Sequence, residues 1–322
     1  MIEAVNLVKR YGPHTAVDHA NFKIERGEIV GFLGPNGAGK STTMNILTGY
    51  LSSTEGTVTV DGQDILEYPI AAKKKIGYLP ENPPLYMDMT VKEYLSFVSE
   101  IKGIPSKEKK DRMNRIMETV VIQDHAKRLI KNLSKGYKQR VGLAQAMIGD
   151  PEVLIMDEPT AGLDPKQILE IRDLINTLGK DHTIILSSHI LPEVSAVCKR
   201  VLIINMGRIV ADDTPETLAK KILGGSHILI RADGTEAAVS KALARVSSIK
   251  KLEFKESQEA DSVELVAESG EETDIRRDLS RALAAADIPI LMMRSLDLSL
   301  EEIFLNLTTK EDGKETDAGE GK

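Results

Sequence analysis

The chain has one cysteine, Cys198, among its 322 residues, and it has no tryptophan. A single cysteine excludes an intrachain disulfide and a cysteine-rich metal cluster, so we expect a reducing compartment. No apolar run approaches the roughly 20 residues that a helix needs to cross a bilayer, and the first residues lack the unbroken apolar stretch of a signal peptide. The sequence therefore predicts a soluble, cytoplasmic protein. If it works on a membrane, another subunit must supply the membrane-spanning part.

Basic residues are also in the minority. The chain has 42 Lys and Arg against 49 Asp and Glu, which gives a net charge of −7. Proteins that bind nucleic acid normally show a strongly basic face, so we expect no nucleic-acid partner. With 41% apolar residues the chain can bury a full core, and its length allows one large domain or two of ordinary size.

Four short apolar runs lack the alternation of a half-solvated strand. They are residues 29–33, 153–156, 183–186 and 201–204. Such runs predict parallel strands that are covered on both faces. Helical patterns separate them, and one of these begins at Asp164 and Pro165, an N-cap followed by proline, and ends at Gly179. The sequence therefore predicts an α/β fold.

Other segments predict smaller units. Residues 57–65 alternate and turn at Asp61-Gly62, which predicts a small antiparallel sheet, and residues 90–149 read as a helical subdomain. We therefore expect one domain over 1–224, a second over 225–309 and a disordered acidic tail over 310–322. The second domain shows the β-α-β-β-α-β order of a ferredoxin-like unit. Its strands are expected at 227–232, 249–255, 262–267 and 288–294, and its helices at 235–246 and 272–286.

The segment GPNGAGKST (34–42) fits the pattern Gly-x4-Gly-Lys-Ser, follows the first apolar run directly and leads into a helical pattern. In such a loop glycines let backbone N–H groups curl around phosphate oxygens, and the helix N-terminus adds partial positive charge. Lys40 can then reach the β- and γ-phosphates, and the Ser41 hydroxyl can join a Mg²⁺ shell. The segment therefore predicts a nucleotide site. Its expected phosphate-binding residues are Gly34, Pro35, Asn36, Gly37, Ala38, Gly39, Lys40, Ser41 and Thr42.

Two carboxylates follow another apolar run, in VLIMDEP (153–159). Ligands of an open parallel sheet lie at the carboxyl ends of its strands. We expect Asp157 to hold Mg²⁺, directly or through water, and Glu158 to orient the water that attacks the γ-phosphate. By itself such a pair as often caps the next helix, but beside a phosphate loop the catalytic interpretation is favoured.

The segment LSKGYKQR (133–140) predicts a second anion site. Ser134 is expected to cap a helix that runs to about Ile148, and a serine hydroxyl beside glycine-exposed backbone at a helix N-terminus can bind an anion. Taken alone, this pattern is more often an ordinary helix cap. A second phosphate site in a chain that already has a phosphate loop needs an explanation.

Together these motifs resemble those of the ATP-binding subunits of ABC transporters, over nearly all of residues 1–222. GPNGAGKST is similar to the Walker A loop of that family, VLIMDE to its Walker B strand and LSKGYKQR to its signature motif. AGLD (161–164) resembles the D-loop, SSH ending in His189 resembles the switch histidine, and Tyr11 lies where the family stacks an aromatic ring on adenine. The resemblance implies a P-loop NTPase core with an antiparallel β subdomain and a helical subdomain.

The resemblance also implies how such a chain works. Two subunits pair head to tail, so that Ser134 and Gly136 of one cap the γ-phosphate held by the other, and Asp164 lies near the other nucleotide. His189 would hydrogen-bond the γ-phosphate and hold Glu158 and the water in position. The implied cofactors are ATP and Mg²⁺. The implied partners are an identical or paralogous ATPase subunit and an integral membrane permease, at the inner face of the cell membrane.

The sequence departs from the common family pattern at three places. Glu81, in GYLPE (77–81), stands where most members have glutamine, and we expect it still to contact Mg²⁺ or its water. Lys135 and Tyr137 replace glycine and glutamine in the signature motif. Glu81 resembles the sodium-export, drug-resistance and gliding-motility branch, and SLEEIFLNLT (299–308) resembles the accessory domain after exporter ATPases of the ABC-2 type.

The leading interpretation is therefore an exporter ATPase that dimerises around ATP. An importer ATPase is disfavoured by the tail domain and by Glu81. A soluble ABC-type ATPase that acts on ribosomes or DNA is disfavoured because the chain has one Walker A loop and only about 90 residues between that loop and the signature motif.

Overall fold

The computed structural model describes residues 1–188, 190–223, 227–255, 257, 259, 261–270, 274–295 and 299–312. By its contacts the chain divides into two compact units, Met1–Asp213 and Thr214–Lys322. No helix in the described part of the chain is long and apolar enough to span a membrane.

The first unit contains ten strands and seven α-helices among its described residues. The strands are β1 (Ile2–Tyr11), β2 (His14–Ile24), β3 (Ile29–Leu33), β4 (Glu55–Val60), β5 (Gln63–Asp64), β6 (Ile76–Leu79), β7 (Val153–Asp157), β8 (Thr183–Ser187), β9 (Arg200–Asn205) and β10 (Arg208–Asp213). The helices are α1 (Lys40–Leu47), α2 (Pro69–Lys74), α3 (Val91–Ile101), α4 (Ser106–Thr119), α5 (Lys135–Met147), α6 (Pro165–Leu178) and α7 (Leu191–Ser195).

Six strands form the central sheet, in the order β10-β9-β3-β8-β7-β6. The pairs β6–β7, β7–β8, β8–β3 and β3–β9 are parallel, and only β10 runs antiparallel to its neighbour. The four apolar runs became β3, β7, β8 and β9, and β7 and β8 are buried along their whole length. This parallel arrangement confirms the predicted α/β fold. The runs need no alternation because strands that are covered on both faces can be apolar throughout.

An antiparallel sheet, β2-β1-β4-β5, stands beside this core. The predicted turn lies between β4 and β5, where Asp61 and Gly62 have φ values of 50° and 73°. Positive φ at both central residues is the geometry of a two-residue hairpin that matches strand twist, and it explains the Asp-Gly pair.

Helices α3, α4 and α5 connect β6 to β7 and form the predicted helical segment. Thr90 caps α3 with both halves of a capping box: Glu93 N donates to Thr90 Oγ1, and Thr90 N donates to Glu93 Oε2. At the far end of α5, Lys102 Nζ donates to the carbonyl oxygens of Gln145 (3.2 Å), Ala146 (3.3 Å) and Ile148. A lysine thus holds the last turn of α5.

We expect Lys102→Met to lower the free energy of unfolding by about 1 kcal/mol, because the last carbonyl groups of α5 lose a charged donor. Urea unfolding measures the loss. Lys110→Met is the matched control, since Lys110 is an exposed lysine on α4, and its effect should stay below about 0.5 kcal/mol. Equal effects for the two variants would contradict a capping role.

The second unit contains α8 (Pro215–Leu223), β11 (His227–Asp233), α9 (Glu236–Leu243), β12 (Ile249–Lys255), β13 (Ser262–Ser269), α10 (Arg276–Ala285), β14 (Ile290–Ser295) and α11 (Leu300–Asp312). Its sheet has the order β12-β13-β11-β14 and is antiparallel throughout. With helices after its first and third strands, this is the predicted ferredoxin-like arrangement. Its own core includes Ile228, Ile230, Leu265, Leu279 and Leu283.

Two boundaries differ from the sequence-based expectation. The second unit begins at Thr214, eleven residues before the expected start at residue 225, because α8 packs against α11. The change of composition at Gly224-Gly225 therefore marks a point after α8; those two glycines lie outside the described residues. Helix α11 continues to Asp312, three residues into the expected tail, and residues 313–322 also lie outside the described part.

Candidate nucleotide site

The loop between β3 and α1 turns the chain sharply, and glycine is required at two of its positions. A Cβ atom on Gly34 would lie 2.4 Å from the carbonyl oxygen of Ile204, and one on Gly39 would lie 2.3 Å from that of Ala16. Gly39 also has φ of 106°, in the region that favours glycine. The glycines thus let the loop pack closely against β2 and β9 while its backbone curls.

Lys40 is the first residue of α1, and its side chain reaches back over this loop. Its Nζ donates to the carbonyl oxygens of Gly34 (2.7 Å) and Pro35 (3.2 Å). Burial lowers the pKa of Lys40, and the negative charges of Glu158 and Asp157 oppose that shift. The loop and the two predicted carboxylates therefore form one electrostatic site.

Asp157 is the last residue of β7, only 7% exposed, and it lies beside Ser187, the last residue of β8. Ser187 Oγ donates to Asp157 Oδ1 (2.5 Å). Burial and, second, the charge of Asp157 raise the pKa of Tyr78, on the neighbouring strand β6, to about 12. Asp157 is therefore held in one orientation at the carboxyl edge of the sheet, where a ligand of a parallel sheet binds.

Ser187 is not among the residues that the sequence predicts for the site. What identifies it is the register of β7 and β8. Once these strands pair in parallel, the serine that ends β8 lies opposite the aspartate that ends β7. A polar residue at the end of an otherwise apolar strand was the only local indication.

Glu158 follows directly and has φ of 49°, which is a strained conformation for a glutamate. Its N–H donates to both the carbonyl oxygen (3.2 Å) and Oγ (3.1 Å) of Ser187. The fold therefore holds an unfavourable backbone conformation at the position where the sequence predicts the catalytic carboxylate. Strain of this kind is concentrated at functional sites.

The signature segment has the predicted helix start. Ser134 caps α5, its Oγ accepting from Tyr137 N (3.5 Å), and Asp164 caps α6, accepting from Gln167 N (2.9 Å). A Cβ atom on Gly136 would lie 2.8 Å from the Gln167 side chain, so the two helix starts are neighbours. Across the described residues, no hydrogen bond or ion pair joins Ser134 or Asp164 to the loop 34–42.

The unusual residues of this segment have contacts of their own. Lys135 Nζ lies against Gly162, 2.4 Å from where a Cβ atom would stand, and the Tyr137 ring stacks on the His125 ring with centroids 4.0 Å apart. Lys135 and Tyr137 thus make contacts within the chain, while Ser134 caps α5 as predicted.

The remaining predicted site residues lie at the edges. Tyr11 ends β1, is 46% exposed, and has Lys9 Nζ 5.4 Å from its ring centroid. Glu81 follows β6 and is exposed. His189 lies outside the described residues.

Comparison with known proteins shows which family this chain resembles. The family model described as ABC transporter matches residues 17–161. The chain is 33% identical to a linearmycin resistance ATP-binding protein of Bacillus subtilis, over 96% of this chain and 98% of that one. The chain belongs to the ABC transporter family. It is also 31% identical to a Nod factor export ATP-binding protein I of Ralstonia nicotianae, over 97% of this chain and 94% of that one.

A solved ATP-binding cassette resembles about two thirds of this chain in fold. It is a dimeric ATP-binding cassette in a post-hydrolysis state bound to ADP and phosphate, with a TM-score of 0.60 and 25% identity, covering 66% of this chain and 98% of that one. The chain is thus an ABC ATPase that binds and hydrolyses ATP, and the predicted family, fold and enzyme class are confirmed.

Proposed function

We propose that this ABC ATPase dimerises around ATP and powers export through a separate membrane-spanning permease. The observation that carries the proposal is the extent of similarity. The resistance protein and the export protein each match over almost the whole chain, so the second unit is included as well as the ATPase unit. An importer ATPase is disfavoured for the same reason. The expected location is the inner face of the cell membrane.

In this proposal the nucleotide lies on the loop 34–42. Backbone N–H groups of the loop and the N-terminus of α1 bind the phosphates, and Lys40 exchanges its two carbonyl acceptors for phosphate oxygens. The exposed ring of Tyr11 stacks on the adenine. The close contacts of Gly34 and Gly39 support this role, because only glycine lets the backbone follow the tight path that a phosphate-binding loop needs.

The residues expected to hold Mg²⁺ fit a hard divalent cation. Ser41 offers a hydroxyl, while Asp157 and Glu81 offer carboxylates, and all are the oxygen ligands that Mg²⁺ prefers. Mg²⁺ is usually held by one or two carboxylates together with substrate phosphates, which matches so small a set. When bound, the ion would neutralise charge on the phosphates. Ser187 would keep Asp157 aimed at it.

Glu158 acts as the base in this proposal. Its carboxylate accepts a hydrogen bond from the attacking water and aligns it with the γ-phosphate, and His189 steadies the same water and phosphate. The support is positional: Glu158 is close enough to Lys40 for its charge to affect the pKa of that lysine. The strained backbone at Glu158 is the second support.

Ser134, Gly136 and Asp164 would act on the nucleotide of a second copy. In the described part of the chain they are not bonded to its own phosphate loop, yet they form two neighbouring helix starts, of which Ser134 and Asp164 are exposed. In a head-to-tail pair, the helix starts of one subunit lie opposite the loop 34–42 of the other. One interface then forms two identical sites. ATP would favour the closed pair, and hydrolysis would release it.

The test is the oligomeric state of the full chain with Glu158→Gln, measured by analytical ultracentrifugation with and without ATP and Mg²⁺. We expect a monomer without nucleotide and a dimer with it. Adding Ser134→Arg should abolish the dimer, whereas Ser299→Arg, which replaces the serine cap of α11, should not. A chain that stays monomeric at saturating ATP, or a Ser134→Arg chain that still dimerises, would refute the sandwich.

A second variant tests the Mg²⁺ assignment. Ser187→Ala removes the hydroxyl that orients Asp157, and loss of such an outer contact typically costs about 10- to 100-fold in metal affinity. We expect the Mg²⁺ concentration for half-maximal ATPase activity to rise by about tenfold or more. Ser99→Ala is the control, because Ser99 is an equally buried serine on α3 whose hydroxyl donates to Leu95 O. An unchanged Mg²⁺ requirement in Ser187→Ala would contradict the assignment.

A further inference from the structure

A buried polar contact joins the two loops that follow β7 and β8. The Thr160 hydroxyl donates to Glu193 Oε2, and the two residues are only 4% and 8% exposed. Thr160 lies two residues after Glu158, and Glu193 lies in the first turn of α7. Burying a carboxylate costs free energy unless it is hydrogen-bonded, so this contact needs a physical reason.

The contact completes the support of the Glu158 backbone. On the strand side, Glu158 N donates to Ser187, the end of β8. On the other side the chain makes a tight turn, in which Ala161 N donates to Glu158 O (3.1 Å), and Thr160 fastens that turn to α7. The strained residue is therefore fixed from both directions, by the end of β8 on one side and by α7 on the other.

We propose that Thr160 and Glu193 are positioning residues for hydrolysis, because their hydrogen bond sets where the Glu158 carboxylate points. The inference rests on the proposed role of Glu158. Displacing a reacting group by about 1 Å can lower a rate by about 100-fold, so a contact that touches no substrate can still control turnover. It should act on the chemical step and leave ATP binding to the loop 34–42.

Thr160→Val removes the donor and keeps the shape of the side chain. We expect the ATPase kcat to fall by about tenfold or more, while the KM for ATP stays within about twofold. Thr160→Ser restores the hydroxyl and should recover activity to within about threefold of the wild type. Glu193→Ala should lower kcat to the same extent, and combining it with Thr160→Val should cause no further loss, because both variants remove one hydrogen bond.

Thr183→Val is the matched control. Thr183 is a buried threonine at the opposite end of β8, and its Oγ1 accepts a hydrogen bond from Gly27 N (2.9 Å). It should lower the melting temperature about as much as Thr160→Val does but leave kcat unchanged. A normal kcat in Thr160→Val overturns the proposal. Three other results would also overturn it. These are an equal loss of kcat in Thr183→Val, a rise in KM that parallels the fall in kcat, and a Thr160→Ser variant with a kcat as low as that of Thr160→Val.

Two variants distinguish the positioning role of Thr160 from the proposed role of Glu158. If Glu158→Gln abolishes turnover while Thr160→Val is fully active, Glu158 keeps its role and the positioning inference alone is wrong. If Glu158→Gln itself hydrolyses ATP normally, the proposed role of Glu158 is wrong and the inference falls with it.

Discussion

Glu158→Gln is expected to lower ATP turnover by about 100-fold or more while ATP still binds. Glutamine has nearly the same shape, so the strained turn and its bonds to Ser187 should survive. An amide, however, cannot take a proton from water, and a general base contributes about 10²- to 10⁴-fold to a rate. Steady-state phosphate release measures turnover, and equilibrium binding of a fluorescent ATP analogue measures affinity, which should change by less than about threefold.

Glu152→Gln provides the control for that experiment. Glu152 precedes β7 at the opposite end of the strand and forms an ion pair with Arg26 (2.6 Å). The same change at Glu152 should leave kcat within about twofold of the wild type. The residue lies away from Glu158, and a half-exposed ion pair contributes little to stability, so the fold should not be disturbed. If Glu158→Gln turns over ATP as fast as Glu152→Gln, the base must be sought elsewhere in the chain.

Local sequence patterns were sufficient for most of the architecture. The apolar runs predicted β3, β7, β8 and β9, because a strand covered on both faces needs no alternation. Capping residues predicted where helices begin, as at Ser134 and Asp164, because the bond between a side chain and the helix backbone is local. The strand, glycine loop and helix over residues 29–47 were predictable for the same reason, because the three segments are contiguous.

Contacts between distant segments were not predictable in this way. Ser187 meets Asp157, and Thr160 meets Glu193, only after β7 and β8 have paired in register. The start of the second unit was misplaced because the packing of α8 on α11 joins residues about 90 positions apart. The residues that orient the site are therefore harder to find than the residues expected to touch the nucleotide.

Lys40→Met should weaken ATP binding by about 100-fold. The ammonium is the only charged side chain of the loop 34–42, and Lys40 is only 8% exposed, so burial has already removed much of its water and lowers its pKa. Its hydrogen bonds to phosphate would each be worth about 1.5 to 3 kcal/mol, against about 1.4 kcal/mol for a tenfold change in affinity. Methionine keeps most of the aliphatic length, so α1 should stay packed and the loss should appear in nucleotide affinity.

Lys102→Met separates this effect from a general cost of losing a lysine. Both ammonium groups donate to backbone carbonyl oxygens, but Lys102 holds the end of α5, away from the loop. We expect Lys102→Met to bind ATP within about twofold of the wild type even though its stability falls. Calorimetric titration of both variants with ATP and Mg²⁺ makes the comparison. Equal affinities would mean that the backbone of the loop, without its lysine, supplies the phosphate binding.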